Sequence, residues 1–440
     1  MISSSIHLQI TFCLLIFSPL AFSRILLTNQ TLIFPLTTQN IHNTSSTTLL
    51  QRRRISSSPS VKIPFTHDVT LTVSLTAGSP PQTIKMVLDT GSELTWLYCK
   101  QSSTATPIFD HAKSSSYIAL PCSSPVCTIQ TQDLPAPATC DKHANLCHVA
   151  VSYVDGSSLD GNLAQETFGV GLLTRPATAF GCMDSSSSAT PEDNAETSTG
   201  LMGMNRGRLS FINQMGLSKF SYCISGSDST GVLVLGGASL PPLKYSPLVT
   251  KTDRLPYWDR FAYTVQFEGI QVGSKLLPIP KSAFVPDHTG AGQTILDSGT
   301  QFTFLLDPVY NVLKTEFTEQ TKSVLTVDPS YVFQTALDLC FQIGSTKPDF
   351  SKLPTVRLMF TGAELTVSGE KLLYLVPGSG SHQKYCFTFG NSGLAGFEMF
   401  IIGNVHQQNV WVEYDLANAQ VGIANDVKCD QASKLLGSRL

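Results

Sequence analysis

Short apolar runs separated by turn signals fill most of the chain, and their two-residue alternation predicts strands far more often than helices. Val69 to Leu75, Ile84 to Leu88, His148 to Tyr153, Gly231 to Leu235, Ala262 to Phe267 and Val410 to Tyr414 combine that alternation with β-branched or aromatic side chains. Gly-Ser-Pro-Pro after Ala77 supplies a tight turn between the first two. One segment has helical spacing, Pro308 to Lys322. There Asp307 is expected to cap, Pro308 takes the first position, and Val309, Val312, Leu313 and Phe317 form an apolar stripe. The pattern predicts a mainly β protein with few helices, built from more than one sandwich- or barrel-like unit.

The N-terminal end reads differently. Ile6 to Leu20 is nearly continuous apolar sequence, and Ala21-Phe22-Ser23 offers small residues at both positions of a leader cleavage site. Residues 1–23 are therefore expected to be a signal peptide, too short to span a bilayer comfortably, so stable membrane insertion is not expected. Residues 24–64 are rich in Thr, Ser and Asn and carry the basic triplet Arg52-Arg53-Arg54. Such composition buries little apolar surface, and the segment is expected to be a prosegment or flexible arm. Both glycosylation sequons, at Asn29 and Asn43, fall within it.

Composition narrows the classes. Of 440 residues 42% are hydrophobic and 14% charged, a balance that argues against global disorder. A net charge of -3 advertises no basic face for nucleic acid. Eleven cysteines become ten once Cys13 leaves with the leader, and an even number in an exported chain favours five disulfides. Cys140, His143, Cys147 and His148 are close enough together to suggest zinc. Their spacing fits none of the common patterns, and an oxidising compartment would pair the thiols, so no metal is expected.

A repeat search adds the decisive feature. Asp89-Thr90-Gly91-Ser92 follows the apolar run ending at Leu88, and Asp297-Ser298-Gly299-Thr300 follows Gln293-Thr294-Ile295-Leu296. Two apolar residues and a glycine come about 110 residues after each motif, as Leu201-Met202-Gly203 and Ile401-Ile402-Gly403. The same order at similar spacing predicts a duplicated lobe. If the two lobes face each other, Asp89 and Asp297 meet at their interface, where clefts form. Two carboxylates at hydrogen-bonding distance cannot both ionise cheaply and share one proton. Such a pair can activate water, one carboxylate acting as base while the protonated partner donates to a carbonyl, with no cofactor. The flanking hydroxyls of Thr90, Ser92, Ser298 and Thr300 suit holding the carboxylates in place. Taken singly, each motif is also compatible with an ordinary Asx turn.

With these residues in view, the sequence resembles the pepsin-like aspartic proteases and, among them, the plant nepenthesin-like branch of the promotion-of-cell-survival type. The similarity runs from Phe65 to Cys429 and includes Asp89-Thr-Gly-Ser-Glu-Leu-Thr-Trp96 and Asp297-Ser-Gly-Thr300. It implies a bilobal double β-barrel with a central active-site cleft. The lobes would be 65–240 and 259–429, joined by 241–258 and followed by a tail at 430–440. Asp89 and Asp297 would be catalytic, supported by Thr90, Gly91, Ser92, Ser298, Gly299 and Thr300. Val151-Ser-Tyr-Val-Asp-Gly-Ser157 is similar to the family's flap, which makes Tyr153 the flap tyrosine, and the resemblance assigns Tyr153 and Trp96 to the flap and substrate binding; Asp155-Gly156 is itself a hairpin-turn signal. By similarity the disulfides would be Cys99–Cys182, Cys122–Cys147, Cys127–Cys140, Cys223–Cys429 and Cys340–Cys386.

The resemblance further implies a monomer that cleaves peptide or protein substrates at acidic pH and is inhibited by pepstatin-like compounds. It would travel the secretory pathway, most readily to the apoplast, with vacuole or endoplasmic reticulum as alternatives. A non-catalytic binding protein on the same fold, such as a glycosidase inhibitor, is the rival; those relatives carry a damaged second motif, which is intact here. No G-x-S-x-G elbow or H-E-x-x-H run supports a serine or zinc hydrolase.

Overall fold

Both acidic motifs sit at the ends of buried strands, and the architecture follows from how those strands are paired. A computed structural model describes residues 32–40, 69–100, 107–153, 158–171, 173–184, 198–226, 230–238, 240–343, 347–377 and 383–432. The leader, both sequons, the basic triplet, residues 154–157 and residues 433–440 lie outside the described residues.

In the first lobe Val69–Ala77 and Gln82–Asp89 form a hairpin closed by the turn predicted from Gly-Ser-Pro-Pro. Gln82–Asp89 lies parallel to Gly200–Gly203, which also contacts Trp96–Lys100. That strand is parallel to Leu173–Asp184, followed outward by Ser158–Val170 and Leu146–Ser152. Ser158–Val170 also bonds back to Val69–Ala77 through Thr76–Gly169 and Ala77–Phe168, closing the sheet on itself. Closure leaves fewer unpaired edges and gives each strand an inner and an outer face.

The second lobe repeats the central arrangement with shorter strands. Gln293–Leu296 runs parallel to Met399–Ile402, as Gln82–Asp89 does to Gly200–Gly203. Thr303–Leu305 contacts Met399–Ile402 and runs parallel to Phe389–Asn391. The helix expected from periodicity is present as Asp307–Thr321, burying Val309, Tyr310, Leu313 and Phe317. Tyr310 thus joins the stripe while Val312 stays at its margin. Asp307 is not the cap: it is the first helical residue, and its carboxylate accepts from the Asn391 side-chain amide instead. The run Ala262 to Phe267 is also corrected. The ladder strand is Phe267–Val272, whereas Thr264 and Val265 make only isolated bridges, to Ile295 and Leu248. Its apolar character reflects burial rather than sheet membership.

A third layer joins the lobes. Lys219–Ile224 of the first lobe pairs antiparallel with Trp411–Asp415 of the second. The order across this platform is Lys244–Pro247, Gln420–Ala424, Trp411–Asp415, Lys219–Ile224, Thr230–Leu235 and Leu32–Asn40. That last strand lies within residues 24–64, the segment expected to be a prosegment or flexible arm. It pairs with Thr230–Leu235 through Leu32 to Thr37 and with Val69–Ala77 through Thr37 to Asn40. Phe34 and Leu36 are buried by it. A composition averaged over 24–64 conceals nine residues of strand sequence.

Ten cysteines form five disulfides. Cys99–Cys182, Cys223–Cys429 and Cys340–Cys386 match the expected pairs. The other two are exchanged: Cys122 bonds Cys140 and Cys127 bonds Cys147, in place of Cys122–Cys147 and Cys127–Cys140. Burial sorts them. The short helix Pro125–Thr128 turns Cys127 inward beneath the strand carrying fully buried Cys147, while exposed Cys140 finds Cys122 at the rim. Two sulfurs of the candidate zinc set are therefore consumed in separate disulfides.

Candidate active site

Each acidic turn begins where a buried strand ends. Asp89 closes Gln82–Asp89, and Asp297 directly follows Gln293–Leu296. The third strand of each trio locks the turn from behind. Met204 N–H donates to the Asp89 carbonyl at 2.8 Å, and Asp297 N–H donates to the Ile402 carbonyl at 3.0 Å. Gly203 N–H donates to Thr95 Oγ1 at 3.2 Å, and Gly403 N–H to Thr303 Oγ1 at 3.1 Å. Thr95 and Thr303 stand at the same offset from their aspartates, a correspondence that the motif comparison passed over because it stopped at the tetrapeptide.

The carboxylates are held in matched cradles. Gly91 N–H donates to Asp89 Oδ1 at 2.8 Å, and Gly299 N–H donates to Asp297 Oδ1 at 2.8 Å. Ser92 Oγ donates to Asp89 Oδ2, and Thr300 Oγ1 donates to Asp297 Oδ2 at 2.6 Å. Thr90 and Ser298 do something other than the expected direct support. Thr90 N–H donates to Ser298 Oγ at 3.1 Å and Ser298 N–H to Thr90 Oγ1 at 2.9 Å. Their hydroxyls donate onward to the Leu296 carbonyl (3.2 Å) and the Leu88 carbonyl (2.9 Å). The two loops are thereby stapled to each other across the lobe boundary, with every donor satisfied.

The staple brings the acids together. A Cβ placed on Gly91 would lie 2.8 Å from Asp297 Oδ1, and one on Gly299 would lie 2.4 Å from Asp89 Oδ1. Each glycine gives the opposite carboxyl the space it occupies. Both acids are nearly buried, 5% and 7% exposed. Burial first, then the charge and hydrogen bonding of Asp297, push the Asp89 carboxyl far above the usual carboxylate range, against the lowering bonds from Ser92 and Gly91. The pair therefore keeps a proton under conditions in which an exposed aspartate would lose it.

Behind the turns lies a polar scaffold that the sequence reading missed. Gln407 Nε2 donates to the carbonyls of Asp297 (3.2 Å) and Ile402 (2.8 Å), and its Oε1 accepts from the Tyr222 hydroxyl. Tyr222 and Tyr414 are hydrogen-bonded at 3.0 Å, one from each lobe. His406 is buried between Thr303 Oγ1 (2.6 Å) and Thr388 Oγ1 (2.8 Å), and burial drives its pKa down to about 3. It is a neutral spacer, not an acid or base for the site. These residues sit outside the motifs, so only three-dimensional proximity marks them.

Tyr153 and Trp96 are also brought together. Trp96 Nε1 donates to the Tyr153 hydroxyl at 2.5 Å. Tyr153 follows Leu146–Ser152, whose pairing with Ser158–Val170 runs out to Ser152 opposite Ser158. The predicted turn residues Asp155 and Gly156 lie outside the described residues.

A doubled β lobe with one acid-bearing turn from each half, joined by a shared sheet, is the pepsin-like bilobal fold. Similarity to a solved structure titled "Crystal structure of edgp" supports that fold: TM-score 0.64 and 20% identity over 93% of this chain and 96% of the other. The family descriptions "Xylanase inhibitor N-terminal" and "Xylanase inhibitor C-terminal" match residues 71–237 and 262–425. The chain is 54% identical over 393 residues to "Aspartic proteinase PCS1" of Arabidopsis thaliana, covering 86% of each. It is 34% identical over 362 residues to "Aspartic proteinase nepenthesin-1" of Nepenthes gracilis, covering 80% of this chain and 77% of the relative. The chain belongs to the plant nepenthesin-like branch of the pepsin-type aspartic proteases.

Proposed function

We propose that this aspartic protease is a secreted endopeptidase whose Asp89/Asp297 pair activates water at acidic pH. The observation that carries the reading is the pair itself: two buried carboxyls in matched cradles, each resting against the other lobe's glycine. With one proton between them, the ionised carboxylate takes a proton from a bound water whose oxygen attacks the peptide carbonyl carbon. The protonated carboxyl donates to the carbonyl oxygen, giving a tetrahedral diol; its collapse, with proton transfer to the amine, breaks the C–N bond. The upward displacement at Asp89, caused by burial and by the neighbouring Asp297, favours a pair that shares one retained proton. Because the pKa is raised, the singly protonated pair persists through acidic pH and is lost as pH rises through the displaced value. Activity falls on that side.

Five disulfides together with the apolar leader favour an oxidising, extracytoplasmic destination. Tyr153, hydrogen-bonded to Trp96, is assigned to closing over the bound peptide. The second reading, an inhibitor of glycosidases without peptidase activity, is favoured by the family descriptions at 71–237 and 262–425. Asp89→Asn and Asp297→Asn, assayed on a peptide library at acidic pH with and without pepstatin, decide the matter. Loss of at least a thousandfold in either variant is expected, from ~4 kcal/mol of lost transition-state stabilisation. Full activity in either purified variant ends the proposed mechanism.

A further inference from the structure

Four residues beyond Asp89 lies a third buried acid, Glu93, only 5% exposed. Its Oε1 accepts from Leu209 N–H at 2.9 Å, and the segment that covers it is shaped around it. A Cβ on Gly207 would lie 2.0 Å from the Glu93 carboxyl carbon, and one on Gly203 would lie 2.4 Å from its carbonyl oxygen. The covering segment is the one that backs the Asp89 turn, through Met204 N–H to the Asp89 carbonyl (2.8 Å) and Asn205 N–H to the Ser92 carbonyl (3.0 Å). Glu93 is thus a side-chain tie between the Asp89 turn and its support.

The charges facing Glu93 do not favour a carboxylate. Asp133, on the short helix Gln130–Asp133, and Asp259, just after the interlobe segment, both act on it with like charge. Arg254 and Arg260 are engaged with Asp133 at 3.3 and 2.7 Å, and Arg206 donates to the carbonyls of Arg260 and Ala262. Arg208 offers Glu93 its backbone while its side chain faces solvent. Among the described residues no ion pair includes Glu93. Burial is the largest influence and raises its pKa to about 7. The second lobe holds a neutral amide, Gln301, at the matching place, four residues beyond Asp297. This turn architecture therefore tolerates an uncharged group of the same length.

We propose that Glu93 is a positioning residue that ties the Asp89 turn to residues 207–209 as a neutral acid, and that its ionisation loosens this tie and lowers the upper pH limit of the enzyme. The proposal rests on the dyad reading above only for its effect on activity. The sign follows from linkage: an acid whose folded pKa exceeds its unfolded value stabilises below the unfolded value, and that stability is lost as pH rises through the folded one. Hydrating the charge requires residues 207–209 to lift, which releases the backing of Asp89.

The test is Glu93→Gln in the full chain, read two ways across pH 5 to 9. Thermal unfolding is followed at each pH, and residual activity is assayed at acidic pH after incubation at each pH, so that dyad titration does not enter. The midpoint pH of both losses is expected to rise by roughly one unit; an unmoved midpoint overturns the proposal. Should Glu93→Gln fail to fold, Gln301→Glu serves: a second buried acid should lower the midpoint, and an unchanged curve overturns the proposal equally. Repeating the unfolding series in an Asp297→Asn background separates the two readings. There the Glu93-dependent shift is expected to persist, whereas failure of the dyad reading would show only as retained peptidase activity.

Discussion

Replacing Gly299 with alanine tests the packing of the acid pair more directly than removing an acid does. The added methyl would lie 2.4 Å from Asp89 Oδ1, 2.6 Å from Cγ and 3.1 Å from Oδ2. Ordinary contact begins near ~3.4 Å, so the Asp89 carboxyl must retreat by about 1 Å. Retreat weakens its bonds from Gly91 N–H and Ser92 Oγ and separates it from Asp297. Misplacing a reacting group by ~1 Å costs on the order of a hundredfold in rate. Gly299 is not among the positive-φ glycines, so alanine adds no backbone strain there. Its expected signature is a kcat about two orders of magnitude lower at acidic pH, with a melting temperature close to that of the parent. Gly91→Ala makes a useful partner. Its methyl would sit 2.8 Å from Asp297 Oδ1, which asks for a smaller retreat and a smaller loss. Steady-state kinetics on one peptide substrate, paired with calorimetry, reads both variants. Undiminished kcat in Gly299→Ala would refute the claim that each glycine makes room for the opposite acid.

Two further outcomes follow from the contacts. Ser298→Ala removes the acceptor for Thr90 N–H and the donor to Leu88, leaving buried backbone groups without partners; denaturant unfolding should show a loss of ~1–3 kcal/mol, and parental stability would argue against the interlobe staple. Leu36→Ala empties a buried site in the strand that pairs with both Thr230–Leu235 and Val69–Ala77, so a loss of ~2–5 kcal/mol is expected; no loss would mean that residues 32–40 are dispensable to the fold.

The exchanged disulfides show where similarity of spacing runs out. Cys140 and Cys147 lie opposite each other on paired strands, yet each bonds elsewhere. Cysteine spacing along a short insertion fits several pairings equally well, since loop closure depends weakly on length. Whether Cys127 points inward is decided by the helix Pro125–Thr128 and the strand above it. The Leu32–Asn40 strand has a related cause. Its alternation is present in the sequence, but the surrounding Ser and Thr hide it, and it is stabilised by Thr230–Leu235, far away in the chain, as well as by nearby Val69–Ala77.

What the amino-acid order determined by itself is the local chemistry repeated in two halves: an apolar strand, an acid, a glycine turn and a hydroxyl, then apolar-apolar-glycine in register behind it. Those features are set by periodicity and residue type within a few positions, so they can be read without coordinates. Only the tertiary structure decided that Thr90 and Ser298 bond each other rather than the acids, that Glu93 is enclosed by Gly203 and Gly207, and that Gln407, Tyr222 and Tyr414 brace the floor of the site. Burial and proximity are properties of the closed chain, and they convert two ordinary aspartates into a pair in which Asp89 holds its proton far above the usual range.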